Sequence, residues 1–257
     1  MSLQPNPYPI LEHDPTRRAL MEPQELVPRM DLPERCVLCF FGDQVRRLAE
    51  EGHARQVCEQ RSEMGSHPVY VFSYQGEELA LMQPGISAPF AAALLEELIA
   101  RGCSKFIVCG GAGVLDRQIV CGHLLVPDSA LRDEGTSYHY LPPSREVAAN
   151  PLAVAAIESV LAEHELPYLR VKTWTTDAFY RETTARIAAR RAEGCLCVEM
   201  KAAALFAVAQ FRGVPLGQLL YGGDDVSGEV WDSRKWQHRH NVREQMIWLS
   251  AKACLRL

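Results

Sequence analysis

The chain has 257 residues, is 47% hydrophobic and carries a formal net charge of −5. That is enough apolar material for one sizeable core, and no Ser/Gly/Pro-rich or charge-block linker divides it. Acidic and basic residues are interspersed, so there is no basic stripe for nucleic acid, and no apolar run is long enough to span a bilayer.

The first segment, residues 1–33, is punctuated by Pro5, Pro7, Pro9, Pro15, Pro23, Pro28 and Pro33 and lacks the apolar stretch of a signal peptide. It reads as an extended arm ahead of a single domain over residues 34–257. Within the domain, strand-like runs fall at Cys36 to Phe41, Pro68 to Tyr74, Glu78 to Met82, Lys105 to Cys109, His123 to Pro127, Tyr168 to Thr173, Leu196 to Val198 and Pro215 to Tyr221. Helical patterns fall at Ala88 to Arg101, Pro151 to His164, Glu182 to Glu193, Lys201 to Arg212 and Val242 to Leu255. Strands alternating with helices predict a three-layer αβα fold around a twisted mixed sheet, with ligands beyond the carboxyl ends of strands. The nine cysteines sit mostly in apolar strands and lack the spacing of a zinc site. They read as reduced thiols, which points to the cytoplasm.

Several motifs fall at those strand ends. Phe41-Gly42-Asp43-Gln44-Val45-Arg46 opens a helix after a strand, either as a simple cap or as an anion site in which Gly42 allows close approach and Arg46 supplies charge. Lys105 to Cys109 runs into Gly110, Gly111 and Gly113, which reads as a sharp turn that can also present N–H groups to an anion. The segment Arg132 to Pro143 is a polar and aromatic loop, functional or solvated. Thr176-Asp177-Ala178-Phe179-Tyr180 places an aromatic ring after a strand, and Glu199-Met200-Lys201 opens an alanine-rich helix. Leu219-Leu220-Tyr221-Gly222-Gly223-Asp224-Asp225 is a buried strand delivering carboxylates.

From Phe41 to Asp224 these motifs resemble the nucleoside phosphorylase and nucleosidase superfamily, and most of all its uridine phosphorylase-like members. The resemblance implies that Phe179 stacks on the base, that Glu199, Met200 and Lys201 face the sugar, and that Asp224 protonates the leaving base. It also implies that Gly42, Arg46, Gly110 and Gly111 hold phosphate. The expected reaction is cleavage of an N-glycosidic bond by phosphate to give free base and sugar 1-phosphate, a pentosyltransferase activity. The alternatives are a nucleosidase using water and a nucleoside-binding protein without turnover. The implied partners are a nucleoside and inorganic phosphate as co-substrate, with no metal or organic cofactor, in a homodimer or hexamer. Seven positions depart from the family pattern. Lys201 stands where a second ribose glutamate is usual, Val108 and Gly111 where an arginine and a hydroxyl clamp phosphate, Gln44 where the phosphate loop has a proline, Gly223 where a serine orients the aspartate, and Thr183 and Ala185 where uracil is read.

Overall fold

The computed structural model describes Leu3 and residues 5–257. Ten strands form one sheet: β1 (Arg35–Cys39), β2 (Ala54–Ser62), β3 (Gly65–Tyr74), β4 (Glu77–Met82), β5 (Lys105–Val114), β6 (Leu124–Asp133), β7 (Glu146–Ala148), β8 (Tyr168–Thr176), β9 (Cys195–Glu199) and β10 (Leu216–Asp225). Seven helices accompany them among the described residues: α1 (Pro23–Leu26), α2 (Gly42–Glu50), α3 (Ala88–Arg101), α4 (Pro151–Glu163), α5 (Thr184–Ala192), α6 (Ala202–Arg212) and α7 (His240–Cys254). The sheet is mixed and carries helices on both sides, as the alternating pattern predicts.

The strand order is β10-β6-β8-β9-β5-β1-β4-β3-β2, with β7 on β6 and a further pairing of β10 to β5. That last pairing closes five strands on themselves, a closure that alternating hydrophobicity does not reveal. Strand β5 is therefore paired along both edges. Strand β10 follows one edge from Phe106 to Val114, while the other edge is shared by β1, which reaches Cys109, and β9, which pairs at Gly113 and Val114. β1 runs parallel to β5 and β9 antiparallel. Their carboxyl ends thus meet head to head beside Gly110 to Ala112.

Two expectations are corrected here. The glycines Gly110, Gly111 and Gly113 do not turn the chain: β5 runs through them, and none has a positive φ. They permit close packing instead, since a β-carbon at Gly111 would lie 3.3 Å from the Tyr221 ring. Likewise β10 continues through Gly222 and Gly223, with a register shift before Asp225 that makes a bulge of Gly223 and Asp224. Strand β2 is absent from the sequence reading because Ala54–Ser62 is largely polar; its pairing with β3 is what makes it a strand.

The core lies between the sheet and the apolar faces of α3, α4, α6 and α7. Cys36 to Cys39 and Phe106 to Gly110 are wholly buried, as expected of strands covered on both faces. The proline-rich arm lies on the domain's own surface. Glu22 pairs with Arg212 at 3.2 Å, the Met30 N–H donates to the Arg101 carbonyl at 2.9 Å, and Leu32 is buried.

Helix α4 comes so close to β10 that a β-carbon at Gly217 would lie 2.9 Å from that of Ala153 and 3.1 Å from Ile157 Cδ1. Gly217→Val should destabilise the fold by about 1–3 kcal/mol through overpacking. Urea unfolding checks this: the midpoint should fall with an unchanged slope.

Candidate functional site

The β1–β9 junction sets up the first half of the site. Phe40 and Phe41 follow β1 and start α2, whose N-cap residue Phe41 supplies no side-chain cap. The N–H groups of Gln44 and Val45 turn back to the Phe41 carbonyl, and the Asp43 carboxylate accepts from its own N–H and that of Gln44, which leaves the Gly42 N–H at the open end of the helix dipole. The side chain of Gln83 lies against Gly42, so that a β-carbon there would come within 2.9 Å of its amide. Backbone polar groups alternate between the edges of a strand. The Cys109 carbonyl accepts from the Phe40 N–H at 3.0 Å, so Gly111, two residues on, faces the same edge where β1 has ended. Arg46 lies exposed on the first turns of α2 and makes no ion pair among the described residues.

Across the junction, Glu199 closes β9. Its carboxylate is spent inside the protein: Oε1 accepts from Thr175 Oγ1 at 2.6 Å, and Oε2 accepts from the Lys201 and Ala202 N–H groups at 2.7 and 2.9 Å. Thr175 Oγ1 in turn accepts from the Ala203 N–H at 3.0 Å. Glu199 therefore caps α6, with its charge at the positive end of the helix. Its side chain is fully buried, at 0% exposure. Glu199, expected at the sugar, is engaged in this capping geometry. Met200 is half-buried beside it. Lys201 is buried, with Nζ 4.5 Å from the centre of the Phe40 ring and 3.8 Å from Glu199 Oε2. Burial lowers its pKa below the usual lysine value, while the Glu199 carboxylate acts in the opposite direction.

The second half of the site lies beyond β8 and β10. The β10 bulge presents Asp224, whose Oδ2 accepts from Trp231 Nε1 at 2.7 Å. Gly113 leaves room for it, since a β-carbon there would sit 3.5 Å from Asp224 Oδ1. Gly223 is held close to the Ala112 carbonyl and Trp236, and the indole of Trp231 orients the Asp224 carboxylate in place of a neighbouring hydroxyl. Asp225 is turned away: it bonds Arg234 at 2.6 Å and the Ser227 N–H at 2.8 Å. Past β8, Phe179 is half exposed in a single 3₁₀ turn, its ring 4.0 Å from that of Tyr180.

Glu182 is the functional candidate that the sequence reading missed. It caps the Phe179 turn and is partly buried. Burial, and secondly the charge of Asp224, push its carboxyl up to about 7. A lone glutamate three residues after an aromatic carries no signal by itself; only the fold brings it beside Asp224. The Arg132 to Pro143 loop is built rather than loose. Arg132 is buried, donates to Ser137 Oγ at 2.8 Å and to the Pro142 carbonyl at 2.8 Å, and stacks on Tyr138. Gly135 N–H donates to Asp177 at 2.9 Å, tying that loop to the segment carrying Phe179.

The sequence profile of the Phosphorylase superfamily matches residues 34–253. The chain belongs to that superfamily. It is 30% identical over 243 residues to the guanosine phosphorylase of Halorubrum lacusprofundi, covering 91% of this chain and 99% of that protein. It is 31% identical over 157 residues to the uridine phosphorylase of Treponema pallidum, covering 55% and 59% of the two chains. In fold it is similar to the purine nucleoside phosphorylase of Toxoplasma gondii (TM-score 0.74, 18% identity, 88% of this chain and 92% of that one). It is also similar to the AMP nucleosidase of Bacteroides thetaiotaomicron (TM-score 0.70, 23% identity, 87% of each). Among the described residues no group of three or more His, Cys, Asp or Glu side chains is placed to hold a metal ion, and no helix is long and apolar enough to cross a membrane.

The raised Glu182 carboxyl makes stability depend on pH. The unfolded chain releases this proton near 4.5 and the folded chain only near 7. The folded state binds the extra proton between those values, so this contribution is complete below 4.5 and is lost as pH rises through 7. Glu182→Gln should flatten the stability profile across that window, as followed by urea midpoints at several pH values. An unchanged profile would count against the buried, Asp224-facing placement of Glu182.

Proposed function

We propose that this protein cleaves the N-glycosidic bond of a purine nucleoside with inorganic phosphate, giving free base and pentose 1-phosphate. The observation that carries the reading is that Glu182, at the end of the turn carrying the exposed Phe179 ring, lies close enough to Asp224 to feel its charge. Breaking the bond leaves positive charge on the sugar and an electron pair on the base nitrogen, so a carboxylic acid must stand at the base. With Glu182 raised to about 7, a sizeable fraction of molecules carries a proton on this group at neutral pH, and that proton moves to the base nitrogen as the C1′–N bond breaks. Phe179 supplies the stacking face and Trp231 fixes Asp224. A phosphate oxygen, seated at the β1–β9 junction with Gly42, Arg46, Gly110 and Gly111 around it, forms the new bond to C1′. Met200 packs beside the sugar, and Glu199 acts by holding the start of α6.

A purine is favoured over uracil on two grounds. Thr183 and Ala185 stand where the uridine phosphorylase-like pattern reads uracil, and the guanosine phosphorylase relative matches over nearly the whole chain. Hydrolysis is the second reading, favoured by the buried Val108 at the place of the usual phosphate arginine and by the AMP nucleosidase fold neighbour. In solution the reading expects a homodimer or hexamer, in a cytoplasmic setting suited to its nine free thiols.

Guanosine, inosine, adenosine and uridine should be incubated with and without phosphate, and free base and sugar 1-phosphate measured. Phosphate-dependent release of a purine base is expected. Asp224→Asn should lower kcat/KM by about 10²- to 10⁴-fold with folding retained. Because the donor must be protonated, kcat/KM at saturating phosphate should fall as pH rises through about 7, and Glu182→Gln should shift that limb. Base release at an equal rate without phosphate would replace phosphorolysis by hydrolysis.

A further inference from the structure

Two departures from the family pattern answer one another in space. Val108, at the place of the phosphate arginine, is fully buried between β1 and β10, so position 108 offers no cation. Lys201, at the place of a sugar-binding glutamate, puts a cation at the opposite rim of the same junction. Its side chain is only 7% exposed, yet it makes no hydrogen bond among the described residues, and the nearest carboxylate oxygen is 3.8 Å away. Its ion pair to Glu199 is long, and that carboxylate is already shared by three closer donors, so the ammonium retains donors for a second anion.

The surroundings of that ammonium select the anion. Nζ lies over Phe40, the residue that leads into the uncapped N-terminus of α2. Phe40 in turn packs at the place of the missing Gly110 side chain, where a β-carbon would be 3.6 Å from that of Phe40. The N-terminus of α6 is already taken by Glu199; at α2 the Asp43 carboxylate takes its own and the Gln44 N–H and pairs with Arg243 at 2.7 Å, which leaves the first N–H, that of Gly42, facing the junction. The Gly42 N–H, the Gly111 backbone and a buried lysine around one gap suit a compact, multiply charged oxyanion.

We propose that Lys201 is the cation of the phosphate site, taking over from within α6 the charge that the family draws from position 108. The seat lies between the Gly42 N–H, Gly111 and Lys201 Nζ, and its ligand is inorganic phosphate. An ammonium has donors only, so this chain gives up the bidentate acceptor for the two ribose hydroxyls. The proposal rests on the phosphorolysis reading, and its test separates the two.

The melting temperature of the protein without nucleoside is followed against inorganic phosphate at matched ionic strength, for the natural sequence and for Lys201→Gln, Lys201→Met and Lys201→Arg. Phosphate should stabilise the natural protein and Lys201→Arg. Its apparent affinity should fall about ten- to a hundred-fold in whichever of the Gln and Met variants folds. In turnover the same variants should raise KM for phosphate more than KM for nucleoside. Equal stabilisation of all forms would overturn the role of Lys201 and leave phosphorolysis standing. No stabilisation of the natural protein, together with base release that ignores phosphate, would overturn phosphorolysis itself. Stabilisation by a nucleoside 5′-monophosphate but not by phosphate would overturn the choice of ligand.

Discussion

The structure turns on one constraint: β1 and β9 share a single edge of β5 and approach each other from opposite directions. Each strand must end before it meets the other, and each hands the chain to a helix, α2 or α6, at that point. The gap left on the β5 edge is a place where backbone donors and two helix dipoles converge without a strand to satisfy them. Glycine at 110, 111 and 113 lets Phe40, Tyr221 and Asp224 close around that gap, as the 3.3–3.6 Å approaches to their missing β-carbons show. A β-carbon at 111 or 113 would have to displace Tyr221 or Val198, whereas one at 110 would make ordinary contact.

Charge is then sorted by position. At the junction, Glu199 satisfies the start of α6 and Lys201 stands beside it, so the two charges offset one another. On the far side of Gly113, Asp224 raises the proton affinity of the partly buried Glu182, whose carboxyl is pushed up to about 7 chiefly by burial. The proposed phosphorolysis needs an oxyanion at the sugar and a proton at the departing base, and this division of charge is what supports it. Asp225 and Arg234 lie outside this division; their pair at 2.6 Å anchors the turn that brings Trp231 back onto Asp224.

Much of this was legible in the sequence. The bounds of α3 agree with its apolar periodicity from Ala88 to Arg101, because Ser87 caps it, Pro89 sits in its first turn and Gly102 ends it. Buried strands such as β1 and β5 show as short apolar runs. What stayed hidden was what depends on pairing. Ala54–Ser62 is polar and becomes a strand only against β3, and the glycines of β5 and β10 suggest turns until their neighbours in the sheet are known. In the site, the motif positions of Asp224 and Phe179 were readable. The capping role of Glu199 was not, since Glu-x-Lys gives no hint that three donors will converge on one carboxylate. Nor was Glu182, whose proton affinity comes from burial and from a residue 42 positions away.

The central claim is that the β1–β9 junction seats the anion that attacks the sugar. A crystal structure of the protein with phosphate and an unreactive purine nucleoside analogue tests it most directly. The account predicts one phosphate within hydrogen-bond reach of the Gly42 N–H and Lys201 Nζ, with the purine against Phe179 and a ring nitrogen at Asp224 or Glu182. A junction holding only water, with phosphate or analogue bound elsewhere, would contradict it.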